Sequence, residues 1–453
     1  MIFDAIQSHD PEKIALQGGS RSITYKELSR EIDMRVDALF NVRALAITLD
    51  NSLQWVLWDL AALKAQIPCI PVPPFFTKDQ VSYLLQSAGV SHILDDQGLR
   101  ATGLEESSVM PEGCAKVTFT SGTTGTPKGV CLSKAAMENV ASGIVQVLGV
   151  DLVGTHISVL PLAVLLENVA GVYAGLIAGC TIKLCSLKAY GENYSNLHNV
   201  LGQNKVNSII LVPEILRILM AQVAAQGPLE SLRFIAVGGS KVDPMLITQA
   251  RGMGLPVYEG YGLSECASVV AMNTPYDEKI GTVGKLLPHV RAVIDNGEFV
   301  FKTDGFLGYI GETKPQSFHS GDLGAFDEDG FVEISGRKKN VLITSYGRNV
   351  SPEWVEASLL SRPDIAQAIV YGDAQVHLSA LIVPSSLDAD VQAAIDAANQ
   401  TLPDYAHVKD FQIVPPFTVM DGLLTGTGRP RREKILKLHN IKENTHELLR
   451  STC

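Results

Sequence analysis

Short apolar runs that end in turn residues recur along the first two thirds of the chain, and helical patterns follow them. Examples are residues 44–49, 90–96, 208–213 and 233–239. Continuous apolar runs of this length are typical of strands that are buried on both faces. Their alternation with helices predicts an α/β fold with mostly parallel sheets. Ligands of such folds bind beyond the carboxyl ends of the strands.

The pattern changes after Arg291, where short alternating runs separated by turns predict an antiparallel sheet. Farther on, Ser351 and Pro352 are suited to the N-cap and the first position of a helix. A chain of 453 residues has room for several structural units. We therefore predict a large multi-layer N-terminal domain over residues 1–337, with a β-rich subdomain, and a small α+β C-terminal domain over residues 338–453.

Composition excludes several classes of protein. The formal net charge of −11 argues against a nucleic-acid partner, since phosphate binding favours positive charge. Seven scattered cysteines and the lack of a signal-peptide pattern predict a reduced, cytoplasmic protein. Residues 157–182 are strongly apolar, but Pro161 and Glu167 interrupt them, so we predict a buried helix and no transmembrane segment. Peripheral contact with a membrane stays open.

Residues 118–130 read TFTSGTTGTPKGV and contain five threonines, three glycines and Lys128. Apolar residues at the start of the segment suggest a strand that runs into a loop. Hydroxyl groups and glycine N–H groups are suited to surrounding phosphate oxygens, and a lysine adds positive charge. The loop is not a Walker A motif, because Pro127 precedes the lysine. The segment therefore predicts a phosphate-binding loop of another kind.

This loop resembles the signature loop of the adenylate-forming superfamily, which includes acyl-CoA synthetases, peptide-synthetase adenylation domains and firefly luciferase. Segments 237–244 (VGGSKVDP), 258–265 (YEGYGLSE) and 320–340 resemble further motifs of the superfamily in the same order. The resemblance covers about residues 10–440 and is strongest to fatty acyl-CoA synthetases. It implies that a carboxylate attacks the α-phosphorus of MgATP, which gives an acyl-adenylate and pyrophosphate. A thiol then takes the acyl group.

The resemblance also implies roles for individual residues. Tyr261 would stack on adenine, Ser264 would contact the α-phosphate, and Glu265 would hold Mg²⁺. Asp322 would accept hydrogen bonds from the ribose hydroxyls, supported by Arg337. The implied catalytic residues are Lys128, Glu265 and Arg429. The implied cofactor-binding residues are Thr120, Ser121, Gly122, Thr123, Thr124, Gly125, Gly238, Gly239, Ser240, Tyr261, Gly262, Ser264, Asp322, Arg337 and Gly347.

The last motif departs from the pattern of the superfamily. Its members usually end with Gly-Lys-x-x-Arg, whereas this chain has Gly428-Arg429. The usual lysine bridges the substrate carboxylate and ATP, and arginine keeps its charge but not its compact geometry. Three alternatives are open. Arg429 substitutes with an altered rate, another lysine reaches the site, or the protein binds an acid or adenylate with impaired turnover.

The segment 160–168 (LPLAVLLEN) resembles the LPLxHxxE stretch of long-chain acyl-CoA synthetases, with Glu167 kept and valine in place of the histidine. Amino-acid-activating relatives have an aspartate here to pair the substrate ammonium, and this stretch has none. An uncharged aliphatic pocket favours a medium- or long-chain fatty acid. Candidate wall residues are Val164, Val169, Val172 and Tyr173.

The resemblance further implies that the small domain is mobile and rotates about a hinge near Lys339. The rotation would bring residues 345–356 to the site for thioester formation, where Gly347 leaves room for pantetheine. CoA is the expected acceptor, so we predict an AMP-forming acyl-CoA synthetase that uses ATP, Mg²⁺ and CoA. The alternatives are an acyl-carrier-protein ligase and another user of the adenylate. A basic cluster over residues 429–437 could dock an acidic carrier or steer the CoA phosphates.

Overall fold

The computed structural model of the chain describes residues 1–104, 110–120, 127–149, 154–302, 305–425 and 428–441. Strands and helices alternate within them, as the apolar runs predict. The α-helices are α1 (Ile2–Ser8), α2 (Tyr25–Ala38), α3 (Leu53–Ala65), α4 (Lys78–Ser87), α5 (Lys134–Leu148), α6 (Leu165–Glu167), α7 (Ala174–Ala178), α8 (Leu197–Gln203), α9 (Pro213–Gln226), α10 (Pro244–Gly252), α11 (Pro352–Leu360), α12 (Val391–Asn399) and α13 (Arg432–Leu438). The strands are β1 (Ile14–Gly18), β2 (Arg21–Thr24), β3 (Leu45–Ile47), β4 (Cys69–Pro71), β5 (His92–Asp95), β6 (Gly98–Ala101), β7 (Cys114–Thr120), β8 (Lys128–Ser133), β9 (Thr155–Ser158), β10 (Thr181–Leu184), β11 (Ser208–Leu211), β12 (Phe234–Val237), β13 (Val257–Leu263), β14 (Ser268–Met272), β15 (Lys285–Leu286), β16 (Arg291–Asp295), β17 (Glu298–Lys302), β18 (Phe306–Tyr309), β19 (Phe318–Phe326), β20 (Val332–Arg337), β21 (Leu342–Ile343), β22 (Asn349–Val350), β23 (Ile365–Tyr371), β24 (Leu378–Pro384) and β25 (Val408–Ile413).

Two large sheets form the N-terminal part. The first has the strand order β15-β14-β13-β12-β11-β9-β10-β1-β2, and the second has the order β18-β8-β7-β4-β3-β5-β6. The centre of each sheet is parallel, and antiparallel strands lie at the edges. This confirms the predicted α/β architecture with mostly parallel sheets. The carboxyl ends of β11, β12 and β13 lie side by side, so the turns that follow them share one edge.

The predicted antiparallel sheet after Arg291 is also present, with strand order β16-β17-β19-β20. The chain then forms a β21–β22 pair and a three-stranded sheet of β23, β24 and β25. Helices α11 and α12 contribute Val355, Leu359 and Ile395 to a hydrophobic cluster with these strands. The C-terminal part is therefore α+β with its own core. The boundary at residues 337/338 and the hinge at Lys339 remain predictions.

The apolar segment at residues 157–182 is folded into the core. It contains the end of β9, the helices α6 and α7 with a π-helical turn at Asn168–Tyr173 between them, and the start of β10. Much of this segment is buried against α5 and the first sheet. Within the part of the chain that the structure describes, no helix is long and apolar enough to cross a membrane.

Candidate active site

A cleft of about 1620 Å³ opens at the carboxyl ends of β11, β12 and β13 and reaches the antiparallel sheet and the C-terminal segment. It brings together every described residue to which the resemblance gives a catalytic or cofactor-binding role, except Gly347. Predicted residues Ser121, Gly122, Thr123, Thr124 and Gly125 lie outside the described residues. The predicted residues that line the cleft are Thr120, Lys128, Gly238, Gly239, Ser240, Tyr261, Gly262, Ser264, Glu265, Asp322, Arg337 and Arg429.

Two glycines on the floor of the cleft are required by the close approach of neighbouring backbone. A Cβ atom at Gly238 would lie 2.7 Å from the carbonyl oxygen of Gly260, on the adjacent strand. A Cβ atom at Gly262 would lie 2.1 Å from the carbonyl oxygen of Ser268. A side chain at either position would push the strands apart. These glycines therefore let the edge of the first sheet present bare backbone to the cleft.

One end of the cleft is built around Asp322. Strands β19 and β20 place Asp322 opposite Arg337, whose Nε lies 2.6 Å from the Asp322 Oδ1. The hydroxyl of Tyr261 donates to the other oxygen of this carboxylate, and the Ser320 hydroxyl accepts from the Asp322 N–H at 3.0 Å. Burial raises the pKa of Asp322, while the charges of Arg337 and Arg429 oppose that rise. This end is thus a buried acceptor held in place before any ligand binds.

The other end of the cleft holds Glu265 and Lys128. Glu265 lies in the 3₁₀ turn directly after β13, and its Oε1 accepts a 2.8 Å hydrogen bond from the Tyr309 hydroxyl. The Lys128 Nζ lies 4.9 Å from the centre of the Tyr309 ring and 3.8 Å from the Glu312 Oε1. Tyr309 and Glu312 were not among the residues predicted for the site. Their place depends on β18 pairing with β8, a contact between residues far apart in the chain.

The Glu265 carboxylate fits a magnesium ion that is shared with phosphate. Its second oxygen makes no hydrogen bond with a described residue, and the cleft gives it room. Mg²⁺ is often held by one or two carboxylates together with substrate phosphates and water. Among the described residues no cluster of three or more His, Cys, Asp or Glu side chains could hold a metal without such help. Glu265 therefore suits a cation that arrives with a nucleotide.

Arg429 reaches into the cleft from the C-terminal segment. Its guanidinium donates to the carbonyl oxygen of Gly239, in the turn after β12. The Arg429 backbone is held by Thr425, whose N–H donates to the Arg429 carbonyl at 2.7 Å. Nearby, Arg432 pairs with the buried carboxylate of Glu356. The basic cluster at residues 429–437 is therefore not a uniformly open patch, because two of its arginines are committed to other contacts.

Gly347 is separated from the other predicted residues. It lies in a shallow depression with Tyr346, Arg348 and Tyr405, on the surface of the C-terminal part. Gly347 has a φ of +70°, and a Cβ atom there would meet no neighbour within 4 Å. In this structure the C-terminal part thus presents Arg429, and not Gly347, to the cleft.

The predicted wall residues divide into two groups. Val164 lines the cleft, as expected. Val169, Val172 and Tyr173 do not, because they are fully buried in the core. The Tyr173 hydroxyl donates to Asp59, which also accepts from Asn168 and pairs with Lys116 at 2.8 Å. The prediction was wrong for these three because they lie within the π-helical turn, where their side chains are packed into the core. Small residues form the wall instead, namely Ala170, Gly171, Ala174, Gly175 and Ala178.

Glu167 supports this wall and does not face a ligand. It is fully buried, its Oε1 lies 3.0 Å from the His156 Nε2, and its Oε2 accepts from the Leu160 N–H at 3.0 Å. A Cβ atom at Gly171 would lie 2.5 Å from the Glu167 Oε1. The contacts of Glu167 with His156 and with the Leu160 N–H therefore hold the loop after β9 against the helix that lines the cleft.

Comparison with protein families gives a consistent result along the chain. The model described as AMP-binding enzyme matches residues 3–109 and 100–310. The model described as AMP-binding enzyme C-terminal domain matches residues 339–440. Together the matches include the elements that form the cleft and the segment that carries Arg429.

Individual relatives differ in the acid that their names state. The long-chain-fatty-acid–CoA ligase FadD15 of Mycobacterium bovis is 35% identical over 234 residues, which are 44% of this chain and 39% of that protein. The chain thus matches about two fifths of the length of this relative. The 2-succinylbenzoate–CoA ligase of Bacillus cereus is 27% identical over 388 residues, which are 79% of this chain and 76% of that protein.

A solved structure shares the fold over nearly the whole chain. The o-succinylbenzoate coenzyme A synthetase of Bacillus subtilis, in complex with ATP and magnesium ion, superposes with a TM-score of 0.78. It is 23% identical, and the match covers 96% of this chain and 98% of that chain. The large N-terminal and small C-terminal architecture is therefore one that known proteins adopt.

Proposed function

Since this chain belongs to the AMP-binding enzyme family, we propose that it is an AMP-forming acid–CoA ligase. The observation that carries the proposal is that Asp322, Glu265 and Arg429, from three separate parts of the chain, line the same cleft. One carboxylate suits a ribose, another suits a phosphate-bound cation, and the arginine suits developing negative charge. Such a set fits the activation of a carboxylic acid by ATP.

The nucleotide would lie across the edge of the first sheet. Asp322 would accept from the ribose hydroxyls, while Arg337 and Tyr261 hold the carboxylate in position. The ring of Tyr261 lines the same cleft, so it can cover one face of adenine. Thr120 and Lys128, which flank the predicted phosphate-binding loop, would lie on the phosphate side. These roles are proposals for this chain.

In the first step, a carboxylate oxygen of the acid attacks the α-phosphorus of ATP, and pyrophosphate leaves. When bound, Mg²⁺ supplies positive charge at the phosphates, and Glu265 would hold it. Ser264 and Arg429 would donate hydrogen bonds to oxygens on which charge develops, and such donors act strongly in a confined cleft. The acyl-adenylate that forms keeps the original carboxyl carbon ready for attack by a thiol.

In the second step, a thiolate attacks the acyl carbonyl and AMP leaves. The separate positions of Arg429 and Gly347 support a rotation of the C-terminal part between the steps, with the hinge near Lys339. The names of both relatives and the solved structure favour CoA as the acceptor. Transfer to an acyl carrier protein has less support, because Arg429 and Arg432 of the basic cluster are engaged elsewhere.

For the acid, we propose a medium- or long-chain acyl group. The small residues of α7 and the π-helical turn leave an apolar path next to Val164, and the FadD15 relative acts on long-chain fatty acids by its name. The described cysteines are free thiols, and this favours a cytoplasmic enzyme of fatty-acid metabolism.

The test is release of pyrophosphate from MgATP by the purified protein across fatty acids, aryl acids, dicarboxylic acids and amino acids, with and without CoA. We expect release that depends on one acid class and acyl-CoA formation only when CoA is present. Acyl-adenylate formation without acyl-CoA would direct the search to a carrier protein. ATP binding without pyrophosphate release from any acid would contradict the proposal and favour a binding protein with impaired turnover.

A further inference from the structure

Arg217 is a cation in the cleft that the proposed reaction does not use. It lies on α9 and lines the cleft together with the apolar side chains of Ile215 and Ile218. Its Nε is buried and has no hydrogen-bond partner. Among the described residues the guanidinium makes no ion pair or hydrogen bond. Buried polar groups are nearly always paired, and a charged one that lacks a partner is costly.

The nearest carboxylates do not neutralise Arg217. Glu214 and Asp243 are close enough to raise the pKa of the guanidinium, but burial outweighs them and lowers it. The Asp243 side chain is committed to the start of α10, where it accepts from the Met245 N–H at 2.7 Å. Glu214 is exposed to solvent. Arg217 thus brings a charged group whose Nε has no partner among the described residues to the cleft.

Arg217 lies on a helix that begins at the edge of the cleft proposed for the nucleotide. Helix α9 starts directly after β11, at the edge where the nucleotide would lie, and runs back along the sheet. Glu214, in its first turn, is within electrostatic reach of Arg429. Arg217 is three residues farther on, about 4.5 Å along the helix axis. An acid whose carboxyl is near Arg429 would therefore direct its far end towards Arg217.

We propose that Arg217 binds a second anionic group of the acid, remote from the carboxyl that is activated. The preferred substrates are then dicarboxylic acids with an apolar linker. This inference rests on the proposed function, because it assigns the substrate class of the same cleft. The small residues of the wall contact the linker, and the guanidinium pairs its far end in the bidentate geometry that arginine offers to carboxylates. A plain fatty acid of the same length would instead bury its methyl end beside an unpaired charge.

The experiment compares matched acids on the wild-type protein. Pyrophosphate release with MgATP and CoA is measured for adipate, suberate and sebacate, for their monomethyl esters, and for the monocarboxylic acids of the same lengths. We expect kcat/KM for the best dicarboxylate to exceed that of its monoester at least tenfold, which corresponds to about 1.4 kcal/mol. The monoester has the same linker and lacks only the second charge.

Two variants assign the preference to Arg217. Arg217→Met should lower kcat/KM for the dicarboxylate at least tenfold, mainly through KM, and abolish its advantage over the monoester. Arg217→Lys should keep part of that advantage, because it keeps the charge. Arg233→Met is the control, since Arg233 is exposed, does not line the cleft and carries the same charge. Thermal unfolding of each variant shows whether the fold is intact.

The outcomes separate the inference from the proposed function. Equal or better use of the monoesters or fatty acids by the wild-type protein would overturn the inference and leave the ligase proposal in place. A dicarboxylate preference that survives in Arg217→Met would also overturn it. If Arg217→Met does not fold, the comparison of dicarboxylates with monoesters on the wild type and on Arg217→Lys still tests the role of Arg217. Failure of every acid to release pyrophosphate would overturn both.

Discussion

The two ends of the nucleotide cleft differ in how far the protein satisfies its own polar groups. At the ribose end, Asp322 is 3% exposed and is held by Arg337, Tyr261 and Ser320. At the phosphate end, the Lys128 and Glu312 side chains are 54% and 57% exposed and lie 3.8 Å apart. One end is organised before the ligand binds, whereas the other depends on the ligand for its charge partners.

The difference suits what each end would recognise under the proposed function. A ribose always offers the same pair of hydroxyls, so an acceptor that is fixed in advance can bind it. The phosphates change in number and charge as pyrophosphate leaves, and a bound Mg²⁺ would supply positive charge to them. Glu265 is bonded by the Tyr309 hydroxyl through one oxygen, which leaves the other for such a changing partner. Substitutions at the two ends should therefore differ in their effects on stability and on rate.

The largest effect is expected for Glu265→Ala at the phosphate end. We expect pyrophosphate release to fall about 1,000-fold, because loss of the metal ligand removes several kcal/mol of charge stabilisation. The melting temperature should change little, since a hydrogen bond from Tyr309 is the contact that is lost. Steady-state release over a magnesium titration measures the effect.

The exposed Glu333→Ala, on β20, is the matched control for this substitution. It should leave the rate and its magnesium dependence unchanged. Release by Glu265→Ala near the wild-type rate would show that the metal assignment is wrong.

At the ribose end, Asp322→Asn should lower both activity and stability. We expect kcat/KM for ATP to fall about 100-fold, or ~2.7 kcal/mol. The free energy of unfolding should fall by about 1–3 kcal/mol, because Arg337 loses a charged partner in a buried site. Burial raises the pKa of Asp322, so the carboxylate protonates at a higher pH than usual. ATP binding by the wild type should therefore weaken as the pH falls through that raised pKa.

The control is Asp327→Asn in the turn between β19 and β20, where Asp327 pairs with Lys279 at 2.6 Å on the surface. It should keep kcat/KM and the wild-type pH profile, whereas Asp322→Asn should lose the acid limb of that profile. An unchanged acid limb in Asp322→Asn would mean that another group controls ATP binding.

A smaller effect is expected for Arg429→Lys, because Arg429 reaches the cleft from the C-terminal part and contacts the Gly239 carbonyl. Lysine keeps the positive charge and is the usual residue at this position in the adenylate-forming superfamily. We therefore expect the rate of adenylation to stay within about threefold of wild type or to rise. Arg431→Lys is the neighbouring control. A fall beyond about 30-fold would show that the arginine contact to the Gly239 carbonyl is required. Single-turnover formation of the adenylate separates this step from thiol transfer.

Local sequence signals predict much of the fold and many of the residues that line the cleft. Thr24 and Glu27 form a capping box at the start of α2, and the apolar runs become strands of the two large sheets. Asp322 could be assigned because it lies within a recognisable motif. Tyr309 could not, since its contact with Glu265 depends on the pairing of β18 with β8, and no local pattern encodes that contact.

The acyl side shows a second limit of sequence reasoning. Val172 and Tyr173 have the apolar character of wall residues, but the π-helical turn places them in the core. The same uncertainty in helical phase hides Arg217, which resembles an ordinary solvated arginine on the periodic pattern of α9. Only the packed structure shows that its Nε is buried without a partner. The part of the site that could not be predicted therefore depends on which side chains the tertiary packing buries.

The smallest effect is expected for Glu312→Gln. It tests whether the charged side chains at the phosphate end are only loosely held before ATP binds. Exposed ion pairs contribute about 0–1 kcal/mol, so the free energy of unfolding should change by less than ~0.5 kcal/mol. The KM for ATP should fall about twofold at low salt, because a negative charge next to Lys128 no longer repels the phosphates, and high salt should remove the gain. Asp329→Asn removes a similarly exposed carboxylate, 3.7 Å from Lys279, and should change neither quantity. A loss of stability above about 1 kcal/mol in Glu312→Gln would instead mean that Lys128 is held as firmly as Asp322, and that both ends are formed before ATP binds.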